Sequence, residues 1–213
     1  MKVNVGCGQS PTKGWRNFDN SASLRLARIP LLESVLSKIG FLDPAQREFI
    51  RFARQHHIDY GDATRGLPIA DESVEALYSS HMLEHLDRDE VILFLQEVRR
   101  LLRPGGVLRL ALPDLKKLVN QYSQDGDADA FIEGTLLAQS RPKRLSQRLR
   151  ALMVGPRNHL WMYDGPSICR LLLAEGFLDP TVLQAGETTI ADPQGLDLNE
   201  RLSESVYVEA VKP

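Results

Sequence analysis

The sequence predicts an α/β protein built on a mostly parallel sheet. Strand-like segments alternate with helical ones, and two early strands are each followed by an acid, Asp19 and Asp62. The stretch after Asp87 carries apolar residues at positions i, i+3, i+4 and i+7, which is typical of a helix with one buried face. In such sheets ligands bind at the carboxyl ends of the strands, so we expect the functional residues there.

The predicted elements follow one another in a regular order. Predicted strands cover residues 3–5, 15–19, 57–60, 74–78, 107–112 and 206–210, the last with strict alternation of apolar and polar residues. Predicted helices begin near Pro30, Pro44, Asp87 and Asp164. Pro104-Gly105-Gly106 is expected to end the helix that follows Asp87. Little room is left for a crossover helix between the first two strands.

Composition limits the class of protein. The 213 residues predict one domain, 1–213, with helical insertions at about 21–56 and 115–157. With 43% hydrophobic and 25% charged residues and a net charge of −2, we expect no nucleic-acid partner. No apolar run is long enough for a transmembrane segment. Two cysteines predict no disulfide framework and favour a cytoplasmic location.

The role of the first insertion stays open between a lid and the face of a homodimer. We expect its apolar stripe, which begins at Leu31, to pack on the domain.

A glycine pair and two acids indicate a nucleoside site. Gly6 and Gly8 follow the first strand and would let the backbone approach a ligand closely. Asp19 can accept both ribose hydroxyls of a nucleoside, and Asp62 can accept from an adenine amine. Each feature alone is common in turns and caps. Both acids after a G-x-G turn favour a ligand site over a plain loop.

On these residues the chain resembles class I S-adenosylmethionine (SAM)-dependent methyltransferases of the type 11 kind. The matching segments are VNVGCG, GWRNFD, HIDYGDATRGLPIADESVEALYSSHMLEHL, LRPGGVLRLALPDL and LLLAEGFL. The resemblance implies a Rossmann-like, seven-stranded sheet with an antiparallel last strand, and SAM as cofactor. It also implies a set of cofactor-binding positions: Gly6, Cys7 and Gly8 under the methionine part, Asp19 at the ribose, Asp62 and Ala63 at the adenine, and Ser80 with His81 near the sulfonium.

The pattern His81-x-x-Glu84-His85 has several interpretations. It matches an inverted zinc-protease signature, but that signature needs a helix and a third ligand, and this stretch follows a strand. Some members of the resembled family bind Mg²⁺ through E-x-x-E-H. Because His81 replaces the first Glu of that pattern, we expect no metal site. His81 and His85 are candidate general bases, and a hydrogen-bonded pair at a helix start is the alternative for Glu84 and His85.

Two further features concern the acceptor. His159 lies close to Trp161 and Tyr163 in the sequence, whose rings could stack on a sugar or ring acceptor, with a packed loop as the alternative. The basic residues between Arg141 and Arg157 could grip an anionic acceptor or form a solvated helix face.

The sequence thus predicts SAM-dependent methyl transfer to an oxygen of a small-molecule or glycan-like acceptor. The reaction needs mainly alignment of the acceptor and exclusion of water, because the sulfonium already activates the methyl group. One alternative is a catalytically degenerate, methyltransferase-like binding module. Another is a nicotinamide-dependent oxidoreductase, which predicts a third glycine and a helix directly after G-x-G.

Overall fold

The computed structural model describes residues 1–138 and 158–213. Its strands are β1 (Lys2–Val5), β2 (Arg16–Asp19), β3 (Asp59–Tyr60), β4 (Val74–Ser80), β5 (Leu102–Pro113), β6 (Leu178–Leu183) and β7 (Ser205–Val211). They form one sheet in the order β3-β2-β1-β4-β5-β7-β6. Strands β1 to β5 pair in parallel, and β7 is antiparallel to both β5 and β6. This sheet confirms the predicted fold class, including the antiparallel last strand.

The described helices are α1 (Ala22–Ala27), α2 (Pro30–Lys38), α3 (Pro44–Gln55), α4 (Arg88–Leu101), α5 (Leu115–Asp125), α6 (Ala128–Thr135) and α7 (Gly165–Ala174), with a 3-10 turn at Leu83–His85. Pro30 and Pro44 are the first residues of α2 and α3, where a missing N–H costs nothing. Residues 6–15, all of them described, contain no helix, so β1 leads to β2 through a loop. The basic run between Arg141 and Arg157 lies outside the described residues.

Helix α4 shows how the local sequence places an element beside the sheet. The Asp87 carboxylate accepts from the Glu90 N–H at 2.8 Å, and the Glu90 carboxylate accepts from the Asp87 N–H at 3.0 Å. The apolar stripe is fully buried against the sheet and comprises Val91, Phe94, Leu95, Val98 and Leu101. The capping box therefore starts the helix, and the stripe fixes which of its faces meets β1, β4 and β5.

The first insertion packs only in part, which corrects the expectation for its apolar stripe. In α2, Leu31 is 80% exposed and Ile39 is 68% exposed. Leu36 alone of that stripe joins a small cluster, which centres on the buried Ile50 of α3. The reason is that α1 and α3 supply the side chains that cover this part of the sheet, among them Leu24 beside Cys7.

The start of β5 differs from the prediction that Pro104-Gly105-Gly106 ends the preceding helix. Pro104, Gly105 and Gly106 lie inside β5, because α4 ends at Leu101 and Leu102 already pairs with Val74 of β4.

Strand β7 alternates between two faces as predicted, but neither face of its residues 205–210 meets solvent. Val206, Val208 and Ala210 enter the main core, whereas Tyr207 packs in a second cluster on the opposite side of the sheet.

That opposite side also holds a buried ion pair. Arg109 of β5 is 0% exposed, and its guanidinium donates to Glu209 of β7 at 2.7 Å. Thr188 and Thr189 donate to the same carboxylate. Burial opposes ionisation of Glu209, but these hydrogen bonds outweigh it and hold its pKa below the usual value. The pair ties the segment after β6 to the middle of the sheet.

Candidate active site

An open cleft of about 920 Å³ lies at the carboxyl ends of the central strands. Gly6 and Gly8 follow β1, Asp19 ends β2, and His81 follows β4. Because β1 pairs in parallel with both β2 and β4, these residues meet at one edge of the sheet. All four line the cleft, together with His85. The size suits a ligand of nucleoside dimensions.

Asp19 organises the glycine loop as well as the cleft. Its Oδ2 accepts from the Gly8 N–H at 3.0 Å, and its Oδ1 accepts from the Ser21 N–H at 2.8 Å. The residue is only 9% exposed, and burial raises the pKa of its carboxyl while the two backbone hydrogen bonds oppose that rise. Each oxygen keeps a lone pair for a further donor. The carboxylate can therefore accept two ligand hydroxyls.

Both the backbone conformation and a close contact require glycine at position 6. It has φ +71°, and a Cβ at this position would lie 2.6 Å from the Cγ of Met82. Met82 follows β4, so the close approach occurs where two neighbouring parallel strands both leave the sheet. Only glycine satisfies both the left-handed backbone and the contact.

The two histidines after β4 differ in their surroundings. His81 has φ +47°, a left-handed conformation uncommon for a non-glycine residue, and its side chain is 7% exposed. Its Nε2 lies 2.8 Å from the Ser205 Oγ. The His85 side chain is 37% exposed, and its Nδ1 lies 3.0 Å from the Asn158 carbonyl oxygen. His85 is thus the more accessible of the two candidate bases.

Several predicted cofactor residues do not line this cleft. Cys7 points into the cluster with Leu24, and burial raises the pKa of its thiol to about 12, so it is not a thiolate nucleophile. Ser80 is a strand residue whose Oγ is buried without a hydrogen-bond partner among the described residues. Asp62 accepts from the N–H and hydroxyl of Thr64, and Ala63 is buried in the core. The assignment of Asp62 and Ala63 to the adenine stays a prediction, as do the places of Cys7 under the methionine part and Ser80 near the sulfonium.

The first insertion contributes cleft residues that the sequence pattern did not reveal. Arg25 of α1, Phe49 of α3 and Tyr60 of β3 all line the cleft. The Arg25 guanidinium stacks over the Tyr60 ring at 4.0 Å, which fixes one wall. The only signal in the sequence was the position of Tyr60 at the end of a predicted strand. Insertion and sheet thus build the cleft together.

His159 lies away from the rim on which an acceptor would stack. It is 6% exposed, and its Nδ1 is 2.8 Å from the Thr135 carbonyl oxygen. Tyr163 is buried too, and only Trp161 remains 47% exposed. The loop alternative therefore describes His159 and Tyr163. The His159 ring borders a separate cavity of about 330 Å³ that also contacts Lys117.

Glu84 lies beneath the three histidines. Its carboxylate is 1% exposed, and neither oxygen has a hydrogen-bond partner among the described residues. Its Oε1 is 3.5 Å from the His81 Nδ1, 4.0 Å from the His85 Nε2 and 3.8 Å from the His159 Nε2. Because residues 83–85 form a 3-10 turn, the helix that the zinc-protease signature needs is absent from this described stretch.

The order and directions of the seven strands are those of a Rossmann-like methyltransferase fold, and solved structures of that fold cover nearly the whole chain. A SAM-dependent methyltransferase, possible histamine N-methyltransferase, from Thermotoga maritima has a TM-score of 0.52 and 15% identity over 100% of this chain and 82% of its own. A SAM-dependent methyltransferase from Methanosarcina mazei has a TM-score of 0.53 and 14% identity, over 99% and 91%. A Pyrococcus horikoshii protein gives 0.53 and 15%, over 100% and 81%. At such identities the likeness concerns the fold.

A protein family model also matches the middle part of the chain. The family described as "Methyltransferase domain", type 11, matches residues 36–110, which include His81, Glu84 and His85 but not the glycine loop. No curated protein sequence matches the chain. The family match over residues 36–110 and the fold together support a SAM-dependent methyltransferase activity, with SAM as the methyl donor.

None of the helices in the described ranges combines the length and the apolar character needed to cross a bilayer.

Proposed function

We propose that this methyltransferase transfers the SAM methyl group to a hydroxyl of a small-molecule or glycan-like acceptor, with His81 or His85 as the base. One observation carries the proposal: both histidines line the same cleft as Gly6, Gly8 and Asp19. A hydroxyl acceptor needs a base, whereas the sulfonium supplies the activated methyl group.

The cofactor end of the cleft fits SAM in chemistry and size. We propose that Asp19 accepts the ribose hydroxyls and that the backbone of Gly6 and Gly8 passes beneath the methionine part. The support for the ribose role is the free lone pair on each Asp19 oxygen. Asp62, Ala63 and Ser80 keep their proposed places near the adenine and sulfonium, with Cys7 as a small residue of the loop.

The acceptor end supports a polar substrate. His85 is partly exposed to the cleft, and Glu90 and Gln9 also line it. Such a wall offers hydrogen bonds to several hydroxyl groups, as a sugar-like acceptor requires. His159 contributes to this region through the loop that it anchors.

The experiment is a methyl-transfer screen in which formation of S-adenosylhomocysteine is measured with sugars, phenols, amines and thiols as acceptors. Product analysis by mass spectrometry and NMR then locates the methyl group. His81→Ala and His85→Ala are each compared with His57→Ala, whose side chain is 94% exposed. Loss of a general base is expected to lower kcat by about 10²- to 10⁴-fold with a hydroxyl acceptor.

The outcomes of this screen distinguish the proposed function from its alternatives. Transfer only to amines or thiols refutes the oxygen proposal. Full activity in both His81→Ala and His85→Ala removes the base role from these residues. SAM binding without transfer to any acceptor would favour the degenerate binding module. Oxidation of a substrate by a nicotinamide cofactor would favour the oxidoreductase, against which the helix-free loop after β1 argues.

A further inference from the structure

Three lone-pair atoms from separate parts of the chain converge beside the cleft. Glu84 and His85 come from the turn after β4, whereas His159 arrives from the segment before α7. Two backbone contacts bring that segment in: the Leu160 N–H donates to the Glu84 carbonyl at 2.6 Å, and the Trp161 N–H does so at 3.3 Å. Oε1 of Glu84 and one ring nitrogen of each histidine all lie within 4.8 Å of one another.

The outer contacts of both rings fix which nitrogen faces Glu84. A carbonyl oxygen can only accept, so the His85 Nδ1 donates to Asn158 at 3.0 Å and the His159 Nδ1 donates to Thr135 at 2.8 Å. In a neutral imidazole the remaining Nε2 then carries a lone pair. Metal-binding histidines are typically held in this way, with the second ring nitrogen bonded to a carbonyl.

The Glu84 carboxyl is buried, and its nearest neighbour among the three histidines is the His81 Nδ1 at 3.5 Å from Oε1. Glu84 is 1% exposed without a hydrogen bond among the described residues, a costly state for an ionised group. The gaps of 3.8 and 4.0 Å from Glu84 Oε1 to the two Nε2 atoms are too long for hydrogen bonds.

Those gaps fit a metal ion better. A tetrahedral ion with ligand bonds of about 2.0–2.1 Å holds its ligand atoms about 3.3 Å apart. The two gaps from Glu84 need to close by about 0.5 and 0.7 Å, and the histidine nitrogens, which lie within 4.8 Å of each other, by up to about 1.5 Å. We therefore infer that Glu84, His85 and His159 bind one divalent ion of the zinc type, a site contrary to the expectation from the sequence pattern.

The donor set and position define the kind of ion and its use. Two imidazoles and one carboxylate suit Zn²⁺ and similar transition ions, whereas Mg²⁺ prefers oxygen ligands. Three protein ligands leave a tetrahedral ion one position for water or an acceptor oxygen. The His85 side chain is 37% exposed, so an ion would enter the site from the side of His85. With His85 as a ligand, His81 remains as the base of the proposed reaction.

The test is a Zn²⁺ titration of the full chain after chelator treatment, by calorimetry and without SAM or acceptor, so its result does not depend on the proposed reaction. One equivalent is expected to bind and to raise the melting temperature. Loss of even an outer partner costs about 10- to 100-fold in metal affinity, so Glu84→Gln and His159→Ala are expected to cost at least about a hundredfold. His56→Ala and His57→Ala, at exposed histidines, are matched controls expected to leave the affinity unchanged.

A second measurement covers variants that fail to fold. In the wild type, ¹⁵N spectra of the histidine rings are expected to show Zn²⁺-induced shifts at the Nε2 of His85 and His159, with their Nδ1 atoms still protonated. Absence of binding overturns the inference. Zn²⁺ binding confined to His56 and His57 would also overturn the inference. The same holds for Zn²⁺ binding that Glu84→Gln and His159→Ala leave intact. Mg²⁺ binding as tight as that of Zn²⁺ would overturn the assignment of ion type.

Discussion

Removal of the Asp19 carboxylate is expected to weaken SAM binding strongly. The side chain is 9% exposed, and one backbone N–H from Gly8 and one from Ser21 hold its two oxygens in place. Each oxygen keeps one acceptor position for a ribose hydroxyl. A hydrogen bond to a charged group contributes about 1.5–3 kcal/mol, so two of them give at least about 3 kcal/mol. That loss corresponds to an affinity roughly 150-fold lower.

The assay is calorimetric titration of wild type, Asp19→Ala and Asp19→Asn with SAM and with S-adenosylhomocysteine. Asp19→Asn keeps the shape but presents an amide to one of the two backbone donors, so it is expected to weaken binding as well. Asp129→Ala, at an exposed acid in α6, is the control for a change of net charge. Circular dichroism checks that each variant is folded. Folded Asp19 variants that bind within threefold of wild type would refute the ribose assignment.

Three further results are expected. Gly6→Ala should abolish SAM binding, because its Cβ would meet Met82 at 2.6 Å, whereas Gly40→Ala, with a similar φ and open space, should retain binding in the same titration. Arg109→Met leaves Glu209 charged and buried, so it should lower the free energy of unfolding by about 3–5 kcal/mol in urea melts; a loss below 1 kcal/mol would contradict the structure. The lowered pKa of Glu209 means that its ionised form stabilises the fold. This contribution is complete above the unfolded pKa of about 4.3 and is lost as the pH falls through the lower folded pKa. The melting temperature of Glu209→Gln should therefore fall less steeply at acid pH than that of the wild type. An unchanged pH dependence would exclude the stabilising role of the Glu209 carboxylate.

Local sequence was sufficient for the elements around the cleft. Glycines that need a positive φ, an acid at a strand end and a capping box at Asp87 act over a few residues, and these interactions are visible in the order of the amino acids. The same holds for the absence of a helix after β1, since ten residues between Val5 and Arg16 are too few for a crossover helix with its loops. The fold class followed from these local patterns.

Longer-range packing decided what the patterns left open. The apolar stripe of α2 satisfies helical periodicity, yet Leu31 remains exposed because α1 and α3 already cover the sheet there. Strand β7 alternates in the sequence, but the segment after β6 buries its second face through Arg109 and Glu209. The periodicity of apolar residues in a helix or strand does not show whether another part of the chain will cover its exposed face.

The sequence by itself determined the α/β sheet, the glycine loop, the acid at Asp19 and the resemblance to methyltransferases, because each depends on residues close together in the chain. Only the tertiary structure brought His159 to Glu84 and His85, across more than seventy residues of sequence. It also showed that the Glu84 carboxylate has no hydrogen bond within the described ranges. Burial and convergence of side chains depend on how distant elements pack, and the order of residues near Glu84 does not contain that information.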